Sequence, residues 1–217
     1  MHVMLQSILS LLFPPQCAVC DDVGTGLCER CFPASAEPLR FRTASLEVLA
    51  LGAYEGALKR AILALKDGRR DVAAALGERL RPHLWHAPAI VPVPTTVVRR
   101  LERGFDGCAL LALSANEAAV VDKLVQTAGD AQRGRSRTQR LAATGRFRWR
   151  GEALQGRRVV LLDDVVTTGS TLEDCAATLR MSGATVTSAV VVARALPVPE
   201  RTATTEPPRS PLSLASL

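Results

Sequence analysis

Two adjacent carboxylates followed by a run of small hydroxyl residues form the part of this sequence best suited to chemistry. Asp163 and Asp164 come directly after an apolar run, and threonine, glycine and serine follow them. Paired carboxylates can accept hydrogen bonds from the vicinal hydroxyls of a ribose. Glycine among hydroxyl residues lets backbone N–H groups point at an oxyanion, and a helix start adds its positive dipole end. The pattern predicts a sugar-phosphate site with an acidic pair and the anion-binding residues Val165, Thr167, Thr168, Gly169, Ser170 and Thr171.

The apolar pattern around this segment predicts the elements that position it. Short apolar runs alternate with segments of helical spacing, which indicates an α/β domain with a mostly parallel sheet flanked by helices. In such sheets, ligands bind beyond the carboxyl ends of the strands. An acidic strand end followed by an ordinary N-capped helix is the alternative that the segment alone leaves open. The predicted strands are 48–54, 89–93, 120–125, 158–162 and 185–193. The predicted helices are 56–65, 72–84, 105–115 and one that starts near Ser170 and is ended by Gly183.

The positive charge of the chain is concentrated in one segment. The formal net charge is +6, and residues 131–151 contain seven arginines and no acidic residue. The rest of the chain is close to neutral, so the segment indicates a local site for anions. It is consistent with a nucleic-acid contact, for which Phe147 and Trp149 are the nearby aromatic residues.

Four cysteines near the N-terminus have the spacing of a metal knuckle. Two C-x-x-C pairs are separated by seven residues, and four thiolates at this spacing suit a tetrahedral Zn²⁺ ion. Two disulfides are the alternative, which would require an oxidising compartment. Four protein ligands would close the metal site, so the predicted zinc is structural rather than catalytic. The predicted ligands are Cys17, Cys20, Cys28 and Cys31.

The remaining segments complete the expected domain organisation. Residues 1–33 hold an apolar segment and the knuckle, 34–45 are expected to be a linker, and 46–196 form the main domain. The tail 197–217 is rich in proline, threonine and serine and is expected to be disordered. The apolar stretch from Met4 to Phe13 is too short to span a bilayer and lacks the features of a signal peptide. We therefore expect a cytoplasmic protein with no membrane span.

The order and type of these motifs resemble type I phosphoribosyltransferases, and more closely the ComF family of competence-associated phosphoribosyltransferase-like proteins. The resemblance extends from about Pro14 to Arg194. It departs from the ComF pattern at Asp106 and Ala143, where asparagine is usual. The motifs that carry it are the cysteine knuckle, ALKDG (64–68), VPVP (91–94), RRLERGFD (99–106), QRGRS (132–136) with Arg140 and Phe147, and LLDDVVTTGSTL (161–172).

The resemblance implies a substrate and a set of further binding residues. The substrate would be phosphoribosyl pyrophosphate with Mg²⁺, and the acidic pair would carry the chemistry. Lys66 would neutralise a phosphate, and the arginine-rich segment would supply the mobile lid. The turn after VPVP would hold the pyrophosphate, which adds Thr95, Thr96, Arg99, Arg100, Arg103 and, from the lid, Arg140.

Three functions remain open on the sequence, of which the third is a regulator that binds the nucleotide precursor as an effector. The first is an enzyme that transfers the phosphoribosyl group and releases pyrophosphate. The second is a non-catalytic competence factor that binds single-stranded DNA through the knuckle and the arginines and works with the DNA-uptake machinery. In the second case the sugar-phosphate pocket would act as a sensor, because fold analogy alone does not fix chemistry.

Overall fold

A computed structural model describes residues 14–127 and 146–195 and, within them, all side chains except those of residues 97–99. The predicted α/β architecture is confirmed, because helices cover both faces of a central five-stranded sheet. Several predicted features lie outside the described residues. They are the apolar stretch from Met4 to Phe13, the arginines from Arg133 to Arg140, Ala143, and the tail 197–217.

The described elements alternate between strands and helices along most of the chain. None of the described helices is both long and apolar enough to cross a membrane. The elements are β1 (Leu39–Arg42), β2 (Glu47–Ala53), α1 (Gly56–Lys66), α2 (Arg70–Leu84), β3 (Ile90–Pro92), α3 (Val97–Arg103), α4 (Gly107–Asn116), a 3₁₀ turn (Glu117–Ala119), β4 (Leu124–Gln126), β5 (Phe147–Trp149), β6 (Arg158–Val166), α5 (Ser170–Met181) and β7 (Thr185–Arg194).

The main sheet brings the carboxyl ends of four strands to one edge. Its strand order is β1-β2-β7-β6-β3, with β1 antiparallel and the other four strands parallel to one another. β4 and β5 form a separate antiparallel ribbon. The neighbouring strands β6 and β3 therefore end side by side, which is where a ligand site is expected in this type of sheet.

Continuous apolar strands are explained by burial of both faces of the sheet. In β7, Val190 and Val192 pack into the core formed with α1, α2 and α4. The alternate residues Ala189 and Val191 pack on the other face, into the core formed with α5 and the β4–β5 ribbon. Because side chains alternate between faces along a strand, a strand covered on both sides needs an apolar residue at every position.

Three parts of the fold differ from the sequence prediction. Residues 34–45, predicted to be a linker, contain β1, an edge strand that pairs with β2. β6 continues four residues beyond the predicted end, so the acidic pair lies within the strand rather than after it. The predicted strand 120–125 is only partly formed: Val120 makes one bridge to Ile90, and β4 begins at Leu124 in the separate ribbon.

The cysteine knuckle packs directly on the main domain. Cys17 and Leu27 are completely buried in the same core as α2. Gly26 lies so close to α2 that an added Cβ would be 2.7 Å from the carbonyl carbon of Asp71. Arginines of the domain also donate to knuckle carbonyls, in the pairs Arg60 to Val19, Arg69 to Gln16 and Arg79 to Phe32.

Candidate functional site

A cavity of about 220 Å³ lies where β3 and β6 end. Several separate parts of the chain supply polar side chains to it, including β6, the end of α1, the turn after β3, and the helices α3 and α5. Basic and acidic groups face the same space, which suits a ligand that carries both phosphate and hydroxyl groups. The predicted site residues that line it are Lys66, Thr95, Thr96, Arg103, Asp163, Asp164 and Thr171.

The two adjacent acids have different surroundings within the cavity. Asp164 forms an ion pair with Lys66, with 2.9 Å between Oδ2 and Nζ. Asp163 accepts the backbone N–H of Asp164 at 2.8 Å and has no ion pair among the described residues. Burial raises the pKa of Asp163 to about 7, and the charge of Asp164 adds to this effect. The pair therefore offers one ion-paired carboxylate and one whose proton is lost near neutral pH.

Lys66 reaches the cavity because α1 ends at this residue. The next turn contains Gly68, whose φ of +106° is in the left-handed region that favours glycine. The side chain of Lys66 is 26% exposed and that of Asp164 is 21% exposed. Partial burial reduces the screening of this ion pair by solvent.

Asp106 connects the turn after β3 to the start of α4. It is buried, and as the N-cap of α4 it accepts the backbone N–H groups of Cys108 and Ala109. Its second oxygen accepts the N–H of Thr95 at 3.1 Å. All of these partners are donors, so an acceptor-only carboxylate satisfies them without leaving an amide N–H unpaired. The residue that departs from the ComF pattern thus holds the predicted pyrophosphate turn in place.

Cys108 lies in the main core and also borders the cavity. Its Sγ donates to Oδ1 of Asp163 at 3.4 Å. Burial raises the pKa of Cys108 well above its usual value, with the charge of Asp163 as the next cause, so the thiol is protonated. Helical spacing puts Cys108 on the buried side of α4, whether that side faces the core or the cavity. The sequence therefore held no signal that distinguishes a core position from a cavity position.

The predicted phosphate loop lies between β6 and α5. Gly169 has φ of +84°, and an added Cβ would collide with the side chain of Thr43. Only glycine fits this position without moving the neighbouring hairpin. Thr167, Thr168 and Ser170 are exposed, and the hydroxyls of the last two lie 3.3 Å apart.

Within the predicted loop set, Thr171 alone borders the cavity itself. Val165, the first residue of that set, is half-buried inside β6. The exposed hydroxyls thus form a rim next to the cavity, where they are accessible to a ligand.

The first turn of α5 is fixed to the turn between β1 and β2. Glu173 accepts hydrogen bonds from the hydroxyl of Thr43 and from both the hydroxyl and the backbone N–H of Ser45. Burial alone would raise the pKa of Glu173, but the hydrogen bonds from Ser45 and Thr43 outweigh it and lower that pKa. This contact braces the phosphate loop from outside the cavity.

The β4–β5 ribbon forms one wall of the cavity. Gln126, Arg146 and Phe147 all line it. Arg146 is held by Asp174 of α5 at 3.0 Å, and its guanidinium lies over the ring of Phe147. Gln126 was missed by the sequence prediction because a lone amide at a strand end carries no pattern.

Of the other predicted residues, Arg100 is exposed on α3, the side chain of Arg99 is not described, and Arg140 lies outside the described residues.

The knuckle cysteines are brought together as their spacing predicts. Their four sulfur atoms lie within 4.8 Å of one another, and all four are free thiols rather than disulfides. The backbone N–H of Cys28 donates to the sulfur of Cys17 at 3.5 Å. Four sulfur donors converging on one point are compatible with a structural zinc ion.

The fold and the cavity agree with a match to a known family. Residues 70–211 match the family described as "Phosphoribosyl transferase domain". This match covers well over half of the chain, so the chain belongs to that family and has the type I phosphoribosyltransferase fold. Part of the chain is also similar to a curated ComF protein.

Two kinds of curated relative share parts of the chain. Competence protein ComFC of Bacillus subtilis (strain 168) is 31% identical over 94 residues, which is 43% of this chain and 39% of that protein. An adenine phosphoribosyltransferase of Mycobacterium avium (strain 104) is 57% identical over 42 residues, 19% of this chain and 23% of that protein. The chain thus matches less than half the length of these relatives.

Two solved structures also align with parts of the chain. The orotate phosphoribosyltransferase from Aeropyrum pernix is 23% identical with a TM-score of 0.40, covering 64% of this chain and 66% of that one. The UMP synthase of Leishmania donovani is 19% identical with a TM-score of 0.37, covering 64% of this chain and 25% of that one.

Proposed function

We propose that the cavity binds phosphoribosyl pyrophosphate with Mg²⁺. The observation that supports this most is that the acidic pair, Lys66, the Thr95–Thr96 turn and Arg103 all border one cavity. The carboxylates would accept hydrogen bonds from the ribose hydroxyls, and the cations would pair with the phosphates. The exposed hydroxyls and N–H groups at the start of α5 match the 5-phosphate.

The acidic pair provides oxygen donors for a cation that accompanies the phosphates of the ligand. Asp163 and Asp164 oppose Lys66, Arg103 and Arg146 across the same space. The carboxylates are hard oxygen donors of the type that Mg²⁺ prefers, so they fit this ion. When bound with the substrate, Mg²⁺ would neutralise charge on the pyrophosphate as it leaves.

The reaction we propose is transfer of the phosphoribosyl group to a nitrogen acceptor. A nitrogen lone pair attacks the anomeric carbon while the bond to the pyrophosphate oxygen breaks. Pyrophosphate departs with that electron pair, and the acceptor nitrogen loses a proton. Asp163 is placed to take this proton or to stabilise positive charge on the sugar, because its carboxylate carries no counter-ion of its own.

Pyrophosphate release tests the enzymatic part of the proposal. Purified protein would be incubated with phosphoribosyl pyrophosphate, Mg²⁺ and a panel of bases and amines. We expect release that depends on one acceptor class and is lost in Asp163→Asn. Binding of phosphoribosyl pyrophosphate without release for any acceptor would contradict catalysis and leave only the binding function.

A second candidate function is binding of single-stranded DNA in competence, together with the DNA-uptake machinery. A separate cavity of about 430 Å³ supports this candidate, because it is bordered by Trp149 and the cations Lys123, Arg150 and Arg157. An indole among cations suits a base stacked beside a phosphate backbone. Trp149 is oriented by its Nε1–H, which donates to the carbonyl of Glu152 at 2.7 Å.

Salt dependence and substitution of the tryptophan test this second candidate. We expect oligothymidylate to bind more weakly as salt rises, and roughly 10-fold more weakly in Trp149→Ala. Trp85→Ala is the matched control, since Trp85 is exposed at the end of α2. Equal affinity of all three proteins for the oligonucleotide would argue against this surface.

We also propose that the knuckle holds a structural Zn²⁺ ion through Cys17, Cys20, Cys28 and Cys31. The converging thiols and the burial of Cys17 in the main core support this assignment. Metal analysis of protein purified without added zinc would test it. One zinc per chain that is lost in Cys20→Ser is expected, and a metal-free but fully folded protein would contradict it.

A further inference from the structure

Cys108 and the acidic pair form a second group of metal-ligating atoms, separate from the knuckle. The sulfur of Cys108 and one carboxylate oxygen from each of Asp163 and Asp164 lie within 4.8 Å of one another. The sulfur comes from α4 and the oxygens come from β6, so two elements that pack together supply the three donors. We call these three residues the sulfur–carboxylate triad.

We propose that the sulfur–carboxylate triad binds a divalent cation of the zinc class, such as Zn²⁺, Co²⁺ or Cd²⁺. One thiolate with two carboxylates suits an ion of borderline softness, whereas Mg²⁺ takes oxygen ligands and would not use the sulfur. Three protein ligands with one open side are typical of an accessible zinc site rather than a structural one. This inference does not depend on binding of a sugar phosphate.

The surroundings of the triad already hold a cation. The ammonium group of Lys66 lies 2.9 Å from the Asp164 carboxylate, so this side of the cavity is built to hold positive charge. The remaining side faces the cavity of about 220 Å³, which leaves space for water or another ligand on the metal. A dication at the triad would displace Lys66 from Asp164.

The position of the sulfur is fixed before any metal binds. Cys108 is 4% exposed and lies in the first turn of α4, whose start is capped by Asp106. Its sulfur already points at Asp163, to which it donates a hydrogen bond at 3.4 Å. On metal binding, the thiol proton leaves to bulk water and the sulfur lone pair coordinates the ion. No other covalent bond changes, and the ion replaces the Cys108–Asp163 hydrogen bond and the Lys66–Asp164 ion pair.

The metal content of the intact protein shows whether the sulfur–carboxylate triad binds an ion. Wild type, Cys108→Ala, Cys108→Ser and Cys175→Ala would each be dialysed against excess Zn²⁺ and then against buffer. We expect wild type and Cys175→Ala to hold one equivalent more than both Cys108 variants. Cys175 is the matched control, because it is a buried helical cysteine outside the triad. The comparison does not depend on the knuckle, whose metal is common to all four proteins.

Cobalt supplies a readout that packing defects do not change. The difference spectrum of Co²⁺-loaded wild type minus Cys108→Ser should show a sulfur-to-cobalt charge-transfer band, because the knuckle contribution cancels. Equal metal content in all four proteins, or a difference spectrum without that band, overturns the proposal. An equal loss of metal in Cys175→Ala also overturns it, since the loss would then reflect disturbed packing.

Discussion

The ammonium group of Lys66 lies 2.9 Å from the carboxylate of Asp164, and this pair joins the end of α1 to β6 across the cavity. The two residues are far apart in sequence and belong to different predicted motifs, ALKDG and LLDDVVTTGSTL. Their contact joins these two motifs in a single site. It also places a cation where the phosphates of the proposed substrate would lie.

Replacing Lys66 by methionine should weaken binding of phosphoribosyl pyrophosphate roughly 10- to 100-fold, because a charge-assisted contact to a phosphate is lost. Lys59→Met is the matched control, since Lys59 is an exposed lysine on the same helix. Calorimetric titration would compare the dissociation constants. Equal weakening in both variants would show a general charge effect rather than a contact made by Lys66.

Asp106→Ala should destabilise the protein by about 1–2 kcal/mol, because α4 loses its N-cap and the Thr95 N–H loses its acceptor. Asp106→Asn keeps one oxygen acceptor and should retain part of that stability. Urea unfolding measures both. If Asp106→Ala unfolds at the same urea concentration as wild type, Asp106 does not hold the turn.

Glu173→Gln should reduce stability at neutral pH by about 1 kcal/mol, because three donors lose a charged acceptor that is partly exposed to solvent. The folded state lowers the pKa of Glu173 below its usual value of 4.5. The stabilisation of the folded state by the Glu173 charge is therefore fully present above pH 4.5 and is lost as pH falls through the folded-state pKa. Unfolding free energies of wild type and variant should therefore converge as pH falls through the lowered pKa of Glu173.

The control for this pH dependence is Glu78→Gln, which changes an exposed residue of α2. The difference in unfolding free energy between Glu78→Gln and wild type should stay small from neutral to acidic pH. A constant difference between Glu173→Gln and wild type from neutral to acidic pH would contradict the assigned role of the Glu173 charge.

Gly26→Ala should destabilise the protein by roughly 2 kcal/mol or more, because its Cβ would meet the backbone of α2 at 2.7 Å. Either the knuckle or the helix must then move. Gly107→Ala is the control, since the nearest atom to its Cβ would be a Leu65 methyl carbon at 3.8 Å. Thermal unfolding of both variants measures the effect, and equal melting temperatures would indicate a knuckle that is not rigidly packed on the domain.

The sequence predicts most of the sheet and helices because the strands of this fold are continuous apolar runs. β7 and the helices α1 and α2 are close to their predicted bounds. β1 was missed although Leu39 and Phe41 alternate with arginines, a period-2 pattern that indicates an edge strand. The acidic pair was expected beyond the strand because charges usually end an apolar run, yet here β6 continues to Val166.

Only those site residues that belong to recognisable sequence motifs could be predicted. Asp163, Asp164 and Lys66 carry recognisable local patterns, and the structure places them on one cavity. The sulfur of Cys108 and the N–H contact between Thr95 and Asp106 depend on how α4 packs against β6 and the turn after β3. Such contacts are set by three-dimensional packing, which periodicity along the chain does not contain.

Calorimetric titration with phosphoribosyl pyrophosphate and Mg²⁺ tests the central claim most directly, using wild type, Asp163→Asn and Asp164→Asn. We expect wild type to bind at one site per chain and each variant to bind roughly 10-fold or more weakly, because ribose hydroxyls lose a charged acceptor. Unchanged affinity in both variants, or no binding by wild type, would contradict a phosphoribosyl pyrophosphate site at this acidic pair.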